Sequence, residues 1–498
     1  MNKDPFKILL IYPNLEMKNL LPPAIGILTA CLKREGFSVD LFDTTYYLTE
    51  SGNPDEKRKE FLQVRAYDAG DYGIGYKRTI AADDLAMKVR EFEPDLIGVS
   101  VVEDTLPLGV KLIRSLGERR PKTIFGGIHI SYLGEKAFEN PEIDMICLGE
   151  GEKALVELCR RMQAGEDYSD IRNLWIRQGD KIIKNQMRSL IDLHDLPIPD
   201  YSLFEDKRFY SPMQGLMYRM LPIDFDRGCP YSCNFCASPG YSRWYKGQIG
   251  EKYFRKKSVA KILDEMQTLV SEHRAEFLYF NSDTFLIRSD EELSLLLKSI
   301  RKSIGLPFWS QTRVETITEH RIKLLKDAGC ARITIGLEHG NEEFRQKVVG
   351  KGFTNKQFIK AVETINKVGI PVSVNNIIGF PDETRELIFD TIALNRQVQS
   401  DSISVFMFYP FQGTALYDYC DQNRLIIDHV GSSTLLENSV IRNQNISREH
   451  LNRLLKTFCL YAKFPDDRWA EIEEIEMGRS GSEELFAKLS EEYRTRYF

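Results

Sequence analysis

The sequence predicts an α/β protein built as a doubly wound, Rossmann-like domain, then a partial (β/α)6 barrel, then a helical C-terminal region. Three observations carry this. Residues 1–165 alternate short apolar runs with amphipathic stretches, residues 218–430 repeat that alternation six times, and a proline-marked break separates them. At 498 residues the chain exceeds one ordinary core, and a 42% hydrophobic composition is ample for packed domains.

In the first part the apolar runs are Ile8 to Tyr12, Ser38 to Phe42, Leu96 to Val102, Thr123 to Phe125 and Met145 to Leu148. Runs this short and continuous suit parallel strands covered on both faces. Helical patterns lie between them, as in Gly26 to Arg34 and Leu108 to Glu118. Ligands of such a sheet sit beyond the carboxyl ends of its strands. Residues 50–90 read as a charged, mainly helical insertion. Residues 166–217 read as a linker, with Leu196-Pro-Ile-Pro-Asp200 its clearest break, because each X-Pro step favours extended backbone.

The barrel strands are expected at Ile223 to Asp226, Phe277 to Asn281, Phe308 to Gln311, Arg332 to Leu337, Val372 to Ile378 and Ser402 to Tyr409. Helical patterns fill 258–272, 290–303, 317–328, 354–368 and 384–397. Residues 431–498 are charged and helical, a cap or tail. Catalytic groups in such barrels sit at the carboxyl ends of the strands.

A net charge of −6 and a pI near 5.9 give no electrostatic footprint for nucleic acid or an anionic membrane. No stretch approaches the roughly 18 apolar residues of a transmembrane helix, and Met1 to Phe6 lead straight into a strand. The expectation is a soluble cytoplasmic protein. Nine cysteines, three of them clustered, argue for reduced thiols and a metal rather than a disulfide framework. The scattered six, Cys31, Cys147, Cys159, Cys330, Cys420 and Cys459, read as small buried hydrophobes.

The clustered three are the most informative feature. Cys229, Cys233 and Cys236 stand in Gly228-Cys-Pro-Tyr-Ser-Cys-Asn-Phe-Cys236, directly after the first barrel strand. A [4Fe–4S] cube takes four thiolates, so three leave one iron without a protein donor and a seat for a small molecule. The competing readings are a zinc knot and an electron-transfer cluster. The loop holds no fourth Cys or His, and His194 and His273 each lie more than thirty residues away.

This loop resembles that of the radical S-adenosylmethionine (SAM) enzymes, and the N-terminal half is similar to the cobalamin-binding domain fused to their class B methylase-like branch. The resemblance covers roughly residues 5–425. It implies Cys229, Cys233 and Cys236 as cluster ligands, with the unique iron chelated by the amino and carboxylate groups of SAM. Reductive cleavage then gives a 5′-deoxyadenosyl radical. Phe235 matches the aromatic near the adenine. Tyr279-Phe-Asn-Ser-Asp-Thr-Phe285 stands where the family often shows paired acidic residues or Gly-Gly-Glu, and keeps only Asp283. Gln311-Thr-Arg313 resembles a strand end whose Arg fork suits a carboxylate. Ile335-Gly-Leu-Glu-His-Gly340 makes Glu338 the ribose contact, and Ile377-Ile-Gly-Phe-Pro-Asp-Glu-Thr384 places Gly379 and Pro381 near the adenine. A structural ion pair is the competing reading for Arg313 and Glu338. Tyr409 to Tyr417 resembles the closing strand.

Phe125-Gly-Gly-Ile-His129 and Leu148-Gly-Glu-Gly-Glu152 resemble the two cobalamin-side loops, implying Gly126, Gly127, His129, Gly149, Glu150 and Gly151 as contacts. Glycine there lets backbone approach a large flat ligand. Ser100, ending the third strand, is a candidate for the nucleotide tail, against the plainer role of a strand-end cap. No histidine precedes His129, so the Asp-x-His-x-x-Gly motif that ligates cobalt from below is absent, and base-off cobalamin without a histidine ligand is implied.

The expected function is a cobalamin-dependent radical SAM methyltransferase acting on an unactivated carbon of a small molecule. The resemblance also implies a reducing partner such as flavodoxin or ferredoxin. Ring closure or rearrangement without methyl transfer, a degenerate cobalamin domain, and a non-enzymatic iron–sulfur protein are the alternatives. Tyr241 to Tyr245 and Phe204 to Tyr210 are candidates for the substrate pocket, or else a surface loop with packed aromatics.

Overall fold

The computed structural model describes residues 5–49, 52–427, 436 and 438–498. The chain divides into two compact units. Unit 1 is 1–53, 69–211 and 241–261; unit 2 is 54–68, 212–240 and 262–498.

Unit 1 holds β1 (Lys7–Tyr12), β2 (Ser38–Asp43), β3 (Leu96–Ser100), β4 (Lys122–Gly126), β5 (Met145–Cys147), β6 (Leu174–Gln178) and β7 (Lys181–Lys184) in the order β2-β1-β3-β4-β5-β6-β7. The first five are parallel, and the 2-1-3-4-5 order places the topological switch point between β1 and β3. Leu9, Ile11, Ile97, Val99, Phe125 and Ile146 form its core with helices such as Leu106–Ser115. All five expected strands are present. The expected linker, however, contributes β6 and β7, an antiparallel hairpin that extends the sheet. Its two-residue Gly179-Asp180 turn, with φ +58° at Gly179, is a hairpin signal that a search for parallel strands passes over.

Among its described residues the insertion is less helical than expected, with helices at Pro54–Glu60 and Ala81–Phe92 and a short 3-10 turn at Gly70–Tyr72. Residues 54–68 belong to unit 2, where Phe61 and Leu62 enter the core.

Unit 2 is the partial (β/α)6 barrel. After β8 (Tyr210–Met213) come β9 (Leu216–Asp224) and the short β10 (Asp226–Arg227); then, β11 (Arg255–Lys256) falling within unit 1, β12 (Phe277–Asn281), β13 (Phe308–Thr312), β14 (Cys330–Glu338), β15 (Val372–Ile378) and β16 (Ser402–Met407). β9 and β12 to β16 are parallel neighbours in sequence order. Helices Asp290–Ser303, Glu319–Ala328, Asn355–Val368 and Arg385–Arg396 follow successive strands, each opened by a side-chain cap from Ser289, Thr318, Thr354 or Thr384. Such a cap stabilises a helix by about 1 kcal/mol.

The C-terminal helices Arg448–Lys463, Trp469–Glu476 and Ser482–Tyr497 are part of this unit rather than a free tail; residues 431–435 and 437 of that region lie outside the described residues. Leu454, Phe458, Ile472 and Leu489 pack with Ile403 and Val405 of β16. At the centre of this layer Glu476, fully buried, accepts from Arg385 Nε and Nη2 (2.6 and 2.8 Å) and Tyr461 Oη (2.6 Å), with His450 Nε2 at 2.7 Å. Burial alone would raise its pKa, but the bonds from Arg385, Tyr461 and His450 hold it below the ordinary 4.5. Replacing Glu476 by alanine is expected to cost about 1–3 kcal/mol at pH 7, because half-buried Arg385 loses its bidentate partner and buried Tyr461 Oη its acceptor. A lowered carboxylate contributes stability present above its unfolded pKa and lost as pH falls through the native value. The difference in denaturant midpoint between wild type and variant should therefore be full at neutral pH and narrow as pH falls below the ordinary 4.5 and through the lowered native value.

Candidate cluster and cofactor site

In unit 2 the cysteine loop follows β9 and β10 at the carboxyl end of the sheet. It is anchored through Asn234, whose backbone N–H donates to Val349 O (3.0 Å) and whose Nδ2 donates to Val348 O (3.0 Å), while Leu416 N–H donates to Asn234 O (3.1 Å). Val348 and Val349 lie in a single π-turn, Arg345–Val349, a distortion that recurs at functional sites. The motif itself leaves Asn234 unassigned, yet it is what ties the loop to two other segments.

Cys233 is buried and Cys229 and Cys236 half-buried. Arg313 Nη1 donates to Cys233 Sγ at 2.8 Å, and its guanidinium stacks on Tyr231 of the loop, 3.9 Å from the ring centre. Cys229 Sγ lies 3.6 Å from Thr284 Oγ1. Burial pushes the Cys236 thiol up to about 12, and nearby Asp283 adds to this. Its proton must therefore leave when metal binds.

Among the described residues no three Cys, His, Asp or Glu side chains converge on a single-ion position. A zinc knot needs such convergence, with each sulfur about 2.3 Å from one ion. A four-iron cube instead takes each thiolate on a separate iron. Three thiols on an anchored loop, with a cation beside one sulfur, fit a cube that takes each on its own iron.

The residues expected to hold SAM fall into two groups. Asp283 lies near Cys229 and Cys236, and Gln311 bonds to the adjacent Ser282. Asp283 is solvent-exposed, with partial desolvation by its neighbours raising its pKa, and Gln311 Nε2 donates to Ser282 O at 3.2 Å. Ser282 Oγ donates to Asp226, whose carboxyl burial pushes up to about 7. Arg313 also pairs with Glu315 at 2.5 Å.

The second group is Glu338, Gly379 and Pro381. Glu338 ends β14 at φ +64°, where the register with β15 shifts, and its Oε1 is 2.8 Å from Lys351 Nζ. A structural ion pair is thus present at Glu338, in a backbone conformation that non-glycine residues keep mainly where surroundings enforce it. Gly379, at φ +82°, leaves no room for a Cβ, which would sit 2.7 Å from Met407 Sδ. Its turn is held by Glu383, which accepts from Gly379 and Phe380 N–H and contacts His339 Nε2 at 3.0 Å. Glu383 and His339 are both fully buried and join the ends of β15 and β14. Both lie inside motifs singled out from the sequence, where only their neighbours drew attention. Phe235 packs against the cluster containing Phe380 and Phe408, and Pro381 is buried in the turn.

In unit 1, Ser100, Gly126, Gly127 and His129 lie at the carboxyl ends of β3 and β4, beside the switch point, and 149–151 follow β5. The four glycines divide. A Cβ on Gly127 (φ +124°) would sit 2.0 Å from Val101 O, and one on Gly149 (φ +69°) 2.3 Å from Tyr245 Oη. Internal packing, rather than a ligand, thus demands these two. Gly126 and Gly151 are uncrowded, their nearest atoms being on Cys147 at 3.9 and 3.6 Å. Burial lowers the His129 pKa to about 4, so it is neutral at pH 7. Glu150 accepts from Ile191 N–H (2.9 Å) and pairs with Arg255, which makes it an internal clamp. An open Gly126 beside Ser100 fits a flat ligand at the strand ends.

The aromatic segments pack mainly into the interior, although Tyr245 also borders a small cavity beside Glu150 and Ile191. Tyr241 to Tyr245 belong to helix Ala237–Ile249, and Tyr241 and Tyr245 are buried in the core of unit 1, Tyr245 stacking on Tyr253. Phe204 is buried against Tyr201, and Phe209 is buried as well.

The geometry defines an enzyme with a three-cysteine cluster loop on a six-stranded barrel and a separate 2-1-3-4-5 sheet. Residues 223–394 match the Radical SAM superfamily and residues 59–159 the B12 binding domain. The chain belongs to the radical SAM enzymes that carry a cobalamin-binding domain, with [4Fe–4S], SAM and cobalamin as cofactors. It is 27% identical over 388 residues to an uncharacterised methyltransferase of Pyrococcus horikoshii, covering 77% of this chain and 81% of that one. It is 25% identical over 368 residues to the anaerobic magnesium-protoporphyrin IX monomethyl ester cyclase of Rubrivivax gelatinosus, covering 72% of this chain and 64% of the cyclase. The solved structure of the radical SAM methyltransferase TsrM from Kitasatospora setae, with cobalamin and cluster bound, superposes with a TM-score of 0.64 at 17% identity, covering 98% and 100%. No helix among the described residues is long and apolar enough to cross a membrane.

Proposed function

We propose that this chain is a cobalamin-dependent radical SAM methyltransferase acting on an unactivated carbon of a small molecule. The observation that carries it is the pinned three-cysteine loop at the carboxyl end of the barrel, in a chain that also bears a B12-binding domain. When bound, the cluster and SAM supply a carbon-centred radical, and cobalamin carries the methyl group.

Cys229, Cys233 and Cys236 hold three irons, and Arg313, beside Cys233, is placed to meet a carboxylate at the fourth. Asp283 and Gln311 face the same end of the sheet. The Gly379-Phe-Pro381 turn and Phe235 offer a dry wall for a planar base, with Glu338 at its edge. In unit 1, Ser100, Gly126 and Gly151 border the place for cobalamin; His129, Gly127, Gly149 and Glu150 shape that edge. A flavodoxin or ferredoxin supplies electrons, and the setting is the cytoplasm.

The likeness to the protoporphyrin ester cyclases favours a second reading, ring formation without methyl transfer. Methyl transfer releases S-adenosylhomocysteine from a second SAM. Anaerobically reconstituted protein should therefore form it only when cobalamin is present. Formation of 5′-deoxyadenosine with no cobalamin-dependent S-adenosylhomocysteine would favour the cyclase reading.

A further inference from the structure

Within unit 2 a cavity of about 270 Å³ opens on the inner face of β13 to β16. Its walls follow the sheet register. Trp309 pairs with Arg332, Gln311 with Thr334, Thr334 with Ser373, and Ser373 with Ser402. Side chains two residues apart along a strand share a face. The opposite face carries Ile333, Ile335, Val372, Val374, Ile403 and Val405, all buried. The inner face is thus polar where a filled barrel carries bulky branched residues. A polar lining of this kind is stable when water or a ligand satisfies it.

The charges on this lining do not cancel. Arg58 pairs with Asp55 at 3.6 Å, and Asp401 Oδ2 accepts from Val372 N–H at 2.8 Å. Three guanidiniums, Arg58, Arg65 and Arg332, thus face two side-chain carboxylates, Asp55 and Asp401, and one positive charge is left over. Arg332 is only 8% exposed. It donates to Ser373 Oγ and to Ser402 Oγ (2.9 Å), and the Gln214 carbonyl faces its Nε and Nη2 at 3.1 and 3.2 Å. Among the described residues it has no ion-pair partner. Burial opposes its charge; Asp401 supports it, and neighbouring Arg65 opposes it again. Two guanidiniums close together, one buried among neutral partners, form a site for an anion.

We propose that this cavity is the substrate pocket, and that Arg332 and Arg65 take the anionic end, a carboxylate or phosphate, of a small polar substrate. The inference rests on the radical SAM reading of the same unit. Arg332 lies four residues along β14 below Gly336, which is level with Arg313; at about 3.3 Å per residue that is about 13 Å. An anion on Arg332 thus directs the remainder of the molecule past Trp309 and Gln311 toward the cysteine loop. The volume lies just under the roughly 300–1,000 Å³ typical of small-molecule sites, so the substrate is metabolite-sized rather than a tetrapyrrole or polycyclic lipid.

Calorimetric titration of the reconstituted holoenzyme with phenyl phosphate, benzoate and neutral benzyl alcohol tests this. At least one anion should bind about tenfold or more tightly than the alcohol, and Arg65→Ala and Arg332→Gln should each weaken it about tenfold. The better anion identifies phosphate or carboxylate as the recognised group. Arg65 is exposed, so its variant decides the matter should Arg332→Gln fail to fold. Failure of both anions to bind, or anion affinity unchanged in Arg65→Ala, overturns the assignment. Formation of 5′-deoxyadenosine by the same wild-type preparation reports separately on the radical chemistry, so the two failures are distinct.

Discussion

Alanine in place of Cys229, Cys233 or Cys236 should leave a folded protein with no stable four-iron cluster and no cleavage of SAM. Each thiolate serves one iron, and two cannot hold the cube in a loop with no fourth Cys or His to substitute. The fold should survive, because Asn234 ties the loop to Val348, Val349 and Leu416 independently of the sulfur contacts to Arg313 and Thr284. Iron and sulfide analysis after anaerobic reconstitution checks this, with circular dichroism to show an intact fold. Wild-type iron content in any one variant would mean that its sulfur is not a ligand.

The second large effect is expected at Glu383. Its carboxylate holds two backbone N–H groups of the Gly379 turn and contacts buried His339, with no exposure to water. Alanine strands all three groups in a dry site, at a cost of about 3–5 kcal/mol. Glutamine keeps one acceptor and should cost roughly half as much. Because the turn carries Gly379 and Pro381, SAM affinity should fall with stability in both variants. Urea unfolding and equilibrium binding of SAM measure the two effects. A Glu383→Ala protein within about 0.5 kcal/mol of wild type would show that the turn stands without its anchor.

Most strands with continuous apolar runs were legible from the sequence to within a few residues, because burial on both faces leaves no other composition available to them, but the first barrel strand, expected at Ile223 to Asp226, is Leu216–Asp224. The hairpin of Leu174–Gln178 and Lys181–Lys184 was not, since an edge ribbon is half-exposed and reads as polar linker. Residues 54–68 were misplaced for a different reason. Phe61 and Leu62 enter the core of unit 2 from a charged segment, and long-range packing leaves no local signature. The cysteines announced their own chemistry through spacing. Partners such as Asn234, Glu383 and Lys351 act through contacts that only the folded chain creates. The glycines of 125–129 and 148–152 marked the right loops, yet Gly127 and Gly149 are required by Val101 and Tyr245 rather than by a cofactor.

The most direct test is the yield of 5′-deoxyadenosine from SAM when the reconstituted wild-type protein is reduced without oxygen. The three-cysteine site predicts multiple equivalents of product per cluster, formed only with reductant and only in protein retaining Cys229, Cys233 and Cys236. A correctly loaded cluster that binds SAM and yields no 5′-deoxyadenosine under strong reduction would contradict the radical chemistry assigned to this chain.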